Sequence, residues 1–232
     1  MFLKYDKHSY YCQGGFWPGE GMLMNDKQKK ITPLRRKPSQ TRSREKVKLI
    51  LECAVALIAR QGSDAMRMSE VAQNAGISIG ALYQYFPDKT AIVRMLAQRY
   101  NQEARVCIEQ GLAQAETLPQ LMAAFNTLID EYYALFIAEP VMRDIWAATQ
   151  TSQALREEEV AESRLNGALL AAAILRLRPE ARREQVEQDA FLLMHLGEAT
   201  MRLAVSTGPQ EGQALVESYK RMAETMLAET GR

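Results

Sequence analysis

The sequence predicts an all-α protein in which an N-terminal three-helix unit precedes a larger helical bundle, with about nine helices overall. From Ser43 onward, apolar residues recur at spacings of three and four, which is the period of an amphipathic helix. The sequence contains no alternating β-branched run bounded by turn signals, so we expect no sheet. Glycine and proline divide the periodic segments into helices of unequal length.

The first three predicted helices differ in length. The first begins near Ser43, has about 18 residues and ends before Gly62, since glycine readily takes the left-handed position that follows a helix. The second covers 69–75. The third covers 78–86, starting on the capping residue Ser78 and ending before a proline.

The later predicted helices are longer and also begin on capping residues. Asp88 is expected to cap a helix that runs to about residue 115, and Thr117 with Gln120 resembles a capping box for the next one. The remaining helices are expected to start at Pro140, at Thr151 or Ser152, at about residue 184–186 and at about Gln210.

Charge is unevenly distributed along the chain, although the formal net charge is only +1. Residues 27–48 hold ten Lys and Arg and a single acid, so the rest of the chain is acidic. This asymmetry indicates a basic arm for a polyanion, and a solvated tail is the alternative. We therefore predict a leader with the basic arm over 1–41. Met22 and Met24 precede the basic residues, which suggests that translation begins there and that residues 1–21 are not part of the functional protein.

Residues 69–86 have the spacing of a helix-turn-helix unit, in which two short helices flank a turn that contains glycine. The turn is Ala75-Gly76-Ile77-Ser78. Leu82 and Phe86, four residues apart, share one face and are expected to anchor the second helix of the pair. The opposite face is then left outward, and the basic arm directly before the unit favours a nucleic acid as its partner.

The segment SEVAQNAGISIGALYQYFPDK, residues 69–89, resembles the N-terminal motif of the tetracycline-repressor (TetR) family of bacterial transcriptional regulators. About twenty positions match in order, and the resemblance covers about 43–95. It implies a helix-turn-helix DNA-binding domain over 42–88 and a ligand-binding and dimerisation bundle over 89–232. It also implies a homodimeric repressor that a small-molecule ligand releases from a near-palindromic operator in double-stranded DNA. The candidate pocket faces of the middle helices carry few fixed charges, so we expect this ligand to be mostly apolar or aromatic. Arg67 departs from the family, which usually has Thr or Ser there as a helix cap.

Side-chain chemistry divides the DNA-binding candidates into two groups. The candidates for phosphate contacts are Arg42, Arg44, Lys48, Arg67, Tyr85 and Lys89. The candidates for reading bases are Ser78, Ile79, Gly80, Ala81, Tyr83 and Gln84. Packing within the small domain is the alternative role for the two tyrosines, and Ser69 or a backbone group is expected to replace the missing cap at Arg67.

Aromatic residues with a few polar ones in the middle helices are typical of a small-molecule cavity. The candidates for ligand contacts are Phe125, Ile129, Tyr132, Tyr133, Phe136, Met142, Trp146, Asn166 and His195. Their alternative role is ordinary core packing. The dimer that the resemblance implies would use the last two helices, and core packing within one chain is the alternative role for their apolar faces. The candidate interface residues are Phe191, Met194, Met201, Val205, Leu215, Tyr219, Met222 and Met226.

The sequence argues against several other classes of protein. We predict no catalytic residue, no cofactor and no metal site, because the chain has only two histidines and its three cysteines are widely spaced. The acids Glu157, Glu158 and Glu159 are expected on a solvated surface. We recognise neither a membrane span nor a secretory signal, so we expect a cytoplasmic protein. An effector-independent DNA-binding or interaction protein of the same fold is the alternative function.

Overall fold

The computed structural model describes residues 37–150 and 153–230, with side chains described from residue 42 onward. Within these ranges the chain forms nine α-helices and no strand, which confirms the predicted fold class. The helices are α1 (Lys37–Gln61), α2 (Met68–Asn74), α3 (Ile79–Tyr85), α4 (Lys89–Ala113), α5 (Leu118–Ala138), α6 (Pro140–Thr149), α7 (Gln153–Leu177), α8 (Arg183–Ser206) and α9 (Pro209–Glu229).

The first helix begins earlier than the sequence predicted. α1 starts at Lys37 rather than near Ser43, so the end of the predicted leader is helical. Pro38 lies in the first turn, where the missing N–H costs no intrahelical hydrogen bond. The rest of the predicted leader, with Met22 and Met24, lies outside the described residues.

Three predicted capping residues cap their helices. The Ser78 hydroxyl accepts from the backbone N of Ala81 at 3.1 Å, and the Asp88 carboxylate accepts from the backbone N of Ala91 at 2.8 Å. The Thr117 hydroxyl accepts more weakly, at 3.4 Å, at the start of α5. At α2 the N-cap residue is Arg67, and its side chain makes no cap hydrogen bond, so replacement of the cap by Ser69 or a backbone group stays a prediction.

Buried apolar side chains form two clusters that meet in the middle helices. The first joins α1–α4 to α6 and the end of α5, and the second joins the end of α4 and the rest of α5 to α7, α8 and α9. Tyr132 and Val205 pack against both clusters. The first cluster spans the predicted domain boundary after residue 88, because Trp146 and Met142 of α6 belong to the same cluster as Leu82 of α3. A movement of α6 therefore acts directly on the core of the N-terminal helices.

The last three helices pack side by side in alternating direction. Ser163 of α7 contacts His195 of α8, and residues nearer the start of α7 contact residues nearer the end of α8, so the two helices are antiparallel. In the same way Tyr219 of α9 donates its hydroxyl to the backbone O of Leu193 at 2.6 Å. Among the described helices, none combines the length and the apolar composition that crossing a membrane requires.

Candidate nucleic-acid interface and ligand-binding core

The α2–α3 pair has the geometry that its sequence predicts. Val71, Ala72 and Leu82 are buried between the two helices and α1, and Phe86 is buried directly after α3. Gly76 adopts a φ of +63°, which a side chain would disfavour, and the turn closes through the backbone N of Ile77 and O of Ala72 at 3.0 Å. This packing holds the other face of α3 outward.

The outward face of α3 presents apolar and polar side chains together. Tyr83 is 52% exposed and Ile79 is 42% exposed, and Gln84 beside them is also exposed. A Cβ added at Gly80 would meet no atom within 4 Å. Tyr85, in contrast, is half-buried and packs against the first apolar cluster. Tyr83 is thus available to a partner, whereas Tyr85 also serves the core.

The predicted phosphate contacts differ in their present partners. Arg42, Arg44 and Arg67 are exposed. Lys48 lies 4.0 Å from Glu52 on the same helix. The Lys89 ammonium donates to the backbone O of Asp64 at 2.9 Å and to that of Ser63 at 3.5 Å. A phosphate at Lys89 would therefore compete with bonds that hold α4 against the turn after α1.

Hydrogen bonds also connect the turn after α1 to α6. Asp144 of α6 accepts a hydrogen bond from the backbone N of Ser63 and another from its hydroxyl, the latter at 3.1 Å. Ser63 is buried, so its backbone N would have no partner without this carboxylate. The contact links residues 81 positions apart and couples the bundle to the N-terminal helices.

We expect Asp144→Ala to lower the free energy of unfolding by about 1–3 kcal/mol, because it leaves a buried N–H unpaired. Urea unfolding followed by circular dichroism measures the change. Asp144→Asn keeps one acceptor oxygen and should cost less. Equal stability of the wild type and both variants would contradict the role of this junction.

The predicted ligand contacts lie in both apolar clusters. Phe136, Met142 and Trp146 belong to the first, and Phe125, Ile129 and Tyr133 belong to the second. Tyr132 connects the two groups, with its ring 4.9 Å from that of Phe136 in an edge-to-face contact. A shallow open depression of the structure lies elsewhere, between the end of α4 and the start of α5, and involves none of these residues.

The two polar candidates lie between α7 and α8, and His195 belongs to a cluster of polar side chains. The Ser163 hydroxyl is 3.1 Å from Nδ1 of His195 and 3.3 Å from Oε2 of Glu198. Glu159, one turn before Ser163, forms an ion pair with Arg202 and accepts from the side-chain amide of Gln150 at the end of α6. We call Glu159, Ser163, His195, Glu198 and Arg202 the polar core cluster.

The electrostatics of this cluster are unusual for a protein interior. Burial, followed by the negative charge of Glu159, raises the pKa of Glu198 to about 8, although Arg202 and Ser163 act in the opposite direction. Burial and then the Glu198 charge also raise the pKa of Tyr132 well above its usual value. Glu198 thus carries a proton at neutral pH, and the hydroxyl of Tyr132 lies within the field of the cluster.

Two expectations from the sequence are wrong here. Glu159 does not lie on a solvated surface, because only 11% of its side chain is exposed. The expectation of few fixed charges on these faces is also wrong, because Glu159 forms an ion pair with Arg202 beside the buried Glu198. The missed signal is the spacing, because Glu159, Ser163 and Asn166 share one face of α7.

Comparisons with known proteins match both parts of the chain. The family model described as "Bacterial regulatory proteins, tetR family" matches residues 50–96, and "Tetracyclin repressor-like, C-terminal domain" matches residues 119–230. The HTH-type transcriptional regulator BetI of Cronobacter sakazakii is 27% identical over 150 residues, which cover 63% of this chain and 70% of that protein. The HTH-type transcriptional repressor KstR of Rhodococcus jostii is 36% identical over 63 residues, or 27% of this chain and 30% of KstR.

Solved structures share the fold at lower identity. A TetR-family transcriptional regulator from Streptomyces coelicolor superimposes with a TM-score of 0.63 at 22% identity, over 80% of this chain and 97% of that one. The similarity therefore extends through the bundle as well as the N-terminal helices.

Proposed function

The chain belongs to the tetracycline-repressor (TetR) family of transcriptional regulators and carries its helix-turn-helix DNA-binding domain, and we propose that it is a ligand-responsive cytoplasmic repressor. It binds a near-palindromic operator as a homodimer and leaves the operator when a small molecule occupies the bundle. The single observation that carries the DNA-binding part is the exposed face of α3, where Ile79, Tyr83 and Gln84 stand outward from a helix anchored by buried Leu82.

The side chains on α3 suit the major groove of DNA. Gln84 can pair with an adenine edge, Ile79 and Ala81 can contact thymine methyl groups, and Gly80 lets the backbone come close. The arginines around this face supply phosphate contacts that set the register of the helix on the duplex. Because one short helix reads only a few base pairs, a second copy is needed for a full operator.

The dimer contact proposed for α8 and α9 fits their exposed apolar residues. Leu192 and Leu203 are exposed on α8 and lie eleven residues apart, which places them on the same side of the helix. Met222 is exposed on α9, between the half-buried Leu215 and Met226 on one face. Met201 and Tyr219 are buried inside one chain, which favours the alternative role in core packing for these two residues.

The effector is proposed to bind where the aromatic and polar parts of the core meet, around Tyr132, Trp146 and His195. An aromatic or apolar body with a polar group fits this combination of walls. α6 connects this region of the bundle to the N-terminal helices. Gln150 at the end of α6 donates a hydrogen bond to Glu159, and Asp144 near its middle accepts one from Ser63. A ligand that favours another position of α6 would shift α4 and separate the two reading helices.

The DNA-binding proposal is tested by fluorescence anisotropy of the full chain with DNA from directly upstream of its own gene, over a salt series. We expect a preference of about 10³ or more over a scrambled duplex, with one dimer per site. Equal and steeply salt-dependent binding to both duplexes, or no binding to either at low salt, would reject sequence-specific recognition.

One substitution on α3 and one on α1 distinguish base reading from phosphate contacts. Gln84→Ala should weaken operator binding about 5- to 150-fold and leave binding to the scrambled duplex unchanged, because it removes a base contact worth about 1–3 kcal/mol. Arg44→Ala should weaken binding to both duplexes and reduce the salt dependence. Gln98→Ala, an exposed glutamine on α4, is the matched control. Equal losses on both duplexes for Gln84→Ala would contradict base reading by this residue.

The effector-independent alternative predicts a different result for ligand binding. A thermal-shift screen of small aromatic molecules should find compounds that raise the Tm, and those compounds should weaken operator binding. A ligand that binds free and DNA-bound protein equally tightly would reject the proposed coupling, and the absence of any stabilising compound would favour the alternative.

A further inference from the structure

We propose that Glu159, His195 and Glu198 form a binding site for one divalent transition-metal ion, such as Zn²⁺, inside the bundle. Each residue offers one ligand atom, and these atoms all lie within 4.8 Å of one another. An imidazole nitrogen with two carboxylate oxygens is a donor set that suits Zn²⁺ and similar ions. The site adds to the proposed DNA-binding function, and its ion binding can be measured without DNA.

The geometry needs only a small adjustment to hold an ion. Two donors bound to Zn²⁺ at about 2.1 Å lie about 3.4 Å apart in a tetrahedron. Closing the cluster by up to about 1.4 Å is within the reach of side-chain rotation, since all three residues project from two neighbouring helices. Three protein ligands leave a fourth position for water or for a polar group of a small molecule.

The Ser163 hydroxyl lies among the proposed ligands and contacts all three of their residues. The Ser163 hydroxyl has one hydrogen, yet it lies within hydrogen-bond distance of the backbone O of Glu159, of His195 and of Glu198. The hydroxyl can donate to only one of these three groups. Arg202 compensates the charge of Glu159 through an ion pair, and the proton on Glu198 keeps that carboxyl neutral in the metal-free protein. A bound cation would replace this proton, because metal ligands must be deprotonated.

An unpartnered amide oxygen nearby points independently to a missing ligand. Asn166 is 94% buried, since its relative exposure is 6%, and its Oδ1 has no hydrogen-bond partner among the described residues. It lies one turn after Ser163 on the same face of α7. Asn166 shares this face with Glu159 and Ser163, and side chains on a helix lean towards its N-terminus, so Asn166 lies on the same side of α7 as the cluster. A hydrated ion would give this oxygen a water to accept from.

Binding of the ion would also change the contact with α6. The Glu159 carboxylate is already shared between Arg202 and the neutral amide of Gln150. The amide is the weaker of the two partners, so the ion takes its place. Gln150 follows the last residue of α6, the helix whose Asp144 holds Ser63. An occupied site would therefore release one end of the helix that contacts the DNA-binding domain.

The test is calorimetric titration of the metal-free full chain with Zn²⁺, with competition against a chromogenic chelator as a second readout. We expect one ion per chain with a micromolar or lower Kd. His195→Ala and Glu198→Gln should each weaken binding at least 10-fold while circular dichroism shows the wild-type helix content. His8→Ala, which removes the chain's other histidine, and Glu157→Gln, which removes an exposed acid on α7, are matched controls and should bind as the wild type does.

Three outcomes would overturn the proposal. These are the absence of Zn²⁺ binding to the wild type, binding that survives both His195→Ala and Glu198→Gln, and binding lost equally in the controls. If the site variants fail to fold, nuclear magnetic resonance of the wild type tests whether His195 binds the ion. Added Zn²⁺ should shift the imidazole signals of His195, and unchanged signals would overturn the proposal. A failure of operator binding would refute the proposed repressor function and leave the metal result untouched.

Discussion

Gly167→Ala is expected to lower the free energy of unfolding by about 3 kcal/mol, the upper end of the range for overpacked cores. A Cβ at this position would lie 2.7 Å from the Cα and 2.9 Å from the backbone N of Phe191. Both atoms are backbone, so relief requires α7 and α8 to move apart rather than one side chain to rotate. The gain of about 1 kcal/mol in helix propensity from glycine to alanine only partly offsets this cost.

Gly111→Ala on α4 is the matched control for this prediction. A Cβ there would lie 3.0 Å from a terminal carbon of Leu128, which can rotate away. We expect a net change within about 1 kcal/mol, since the propensity gain and the contact oppose each other. Urea denaturation of the three proteins measures the difference. A Gly167→Ala variant as stable as the Gly111→Ala variant would show that α7 and α8 do not pack as closely as described.

Glu198→Gln is expected to stabilise the metal-free protein at alkaline pH by about 3–5 kcal/mol and to change little at pH 5. Burial and the charge of Glu159 raise the pKa of Glu198 from 4.5 in the unfolded chain to about 8 in the folded protein. Between these values the native state binds more protons than the unfolded state. Stability therefore falls as pH rises from about 4.5 to 8 and then levels off. Glutamine resembles the protonated acid and removes this loss.

The groups that face Glu198 determine how large the effect is. Glu159 and Glu162 of α7 raise its pKa, and Arg202 of α8 and the hydroxyl of Ser163 lower it. Tyr132 of α5 and Tyr219 of α9 also lie in its field.

Thermal unfolding in EDTA between pH 5 and 9 measures the predicted difference, with Glu157→Gln as the control for removing an exposed carboxylate from α7. Parallel pH profiles for the wild type and Glu198→Gln would show that Glu198 is ionised in the native protein.

Local features of the structure could be predicted from the sequence because they depend on neighbours along the chain. Ser78 and Asp88 cap their helices through atoms three residues away, and Gly76 takes its left-handed conformation within one turn. The outward face of α3 follows from the spacing of Leu82 and Phe86 in the same way. The start of α1 at Lys37 was missed, since the polar residues before Ser43 carry no apolar period.

Which residues meet in the bundle was decided only by tertiary structure. The sequence shows that Glu159 and Glu198 are each on a helix, but not that α7 and α8 pair so that both acids face the core with His195. The sequence also places Met201 and Met222 on apolar helix faces. It does not show that Met201 is buried within one chain whereas Met222 is exposed. A helical period gives the angle between side chains on one helix. Which of these side chains face the core and which face solvent depends on how the helix packs against helices that are distant in sequence.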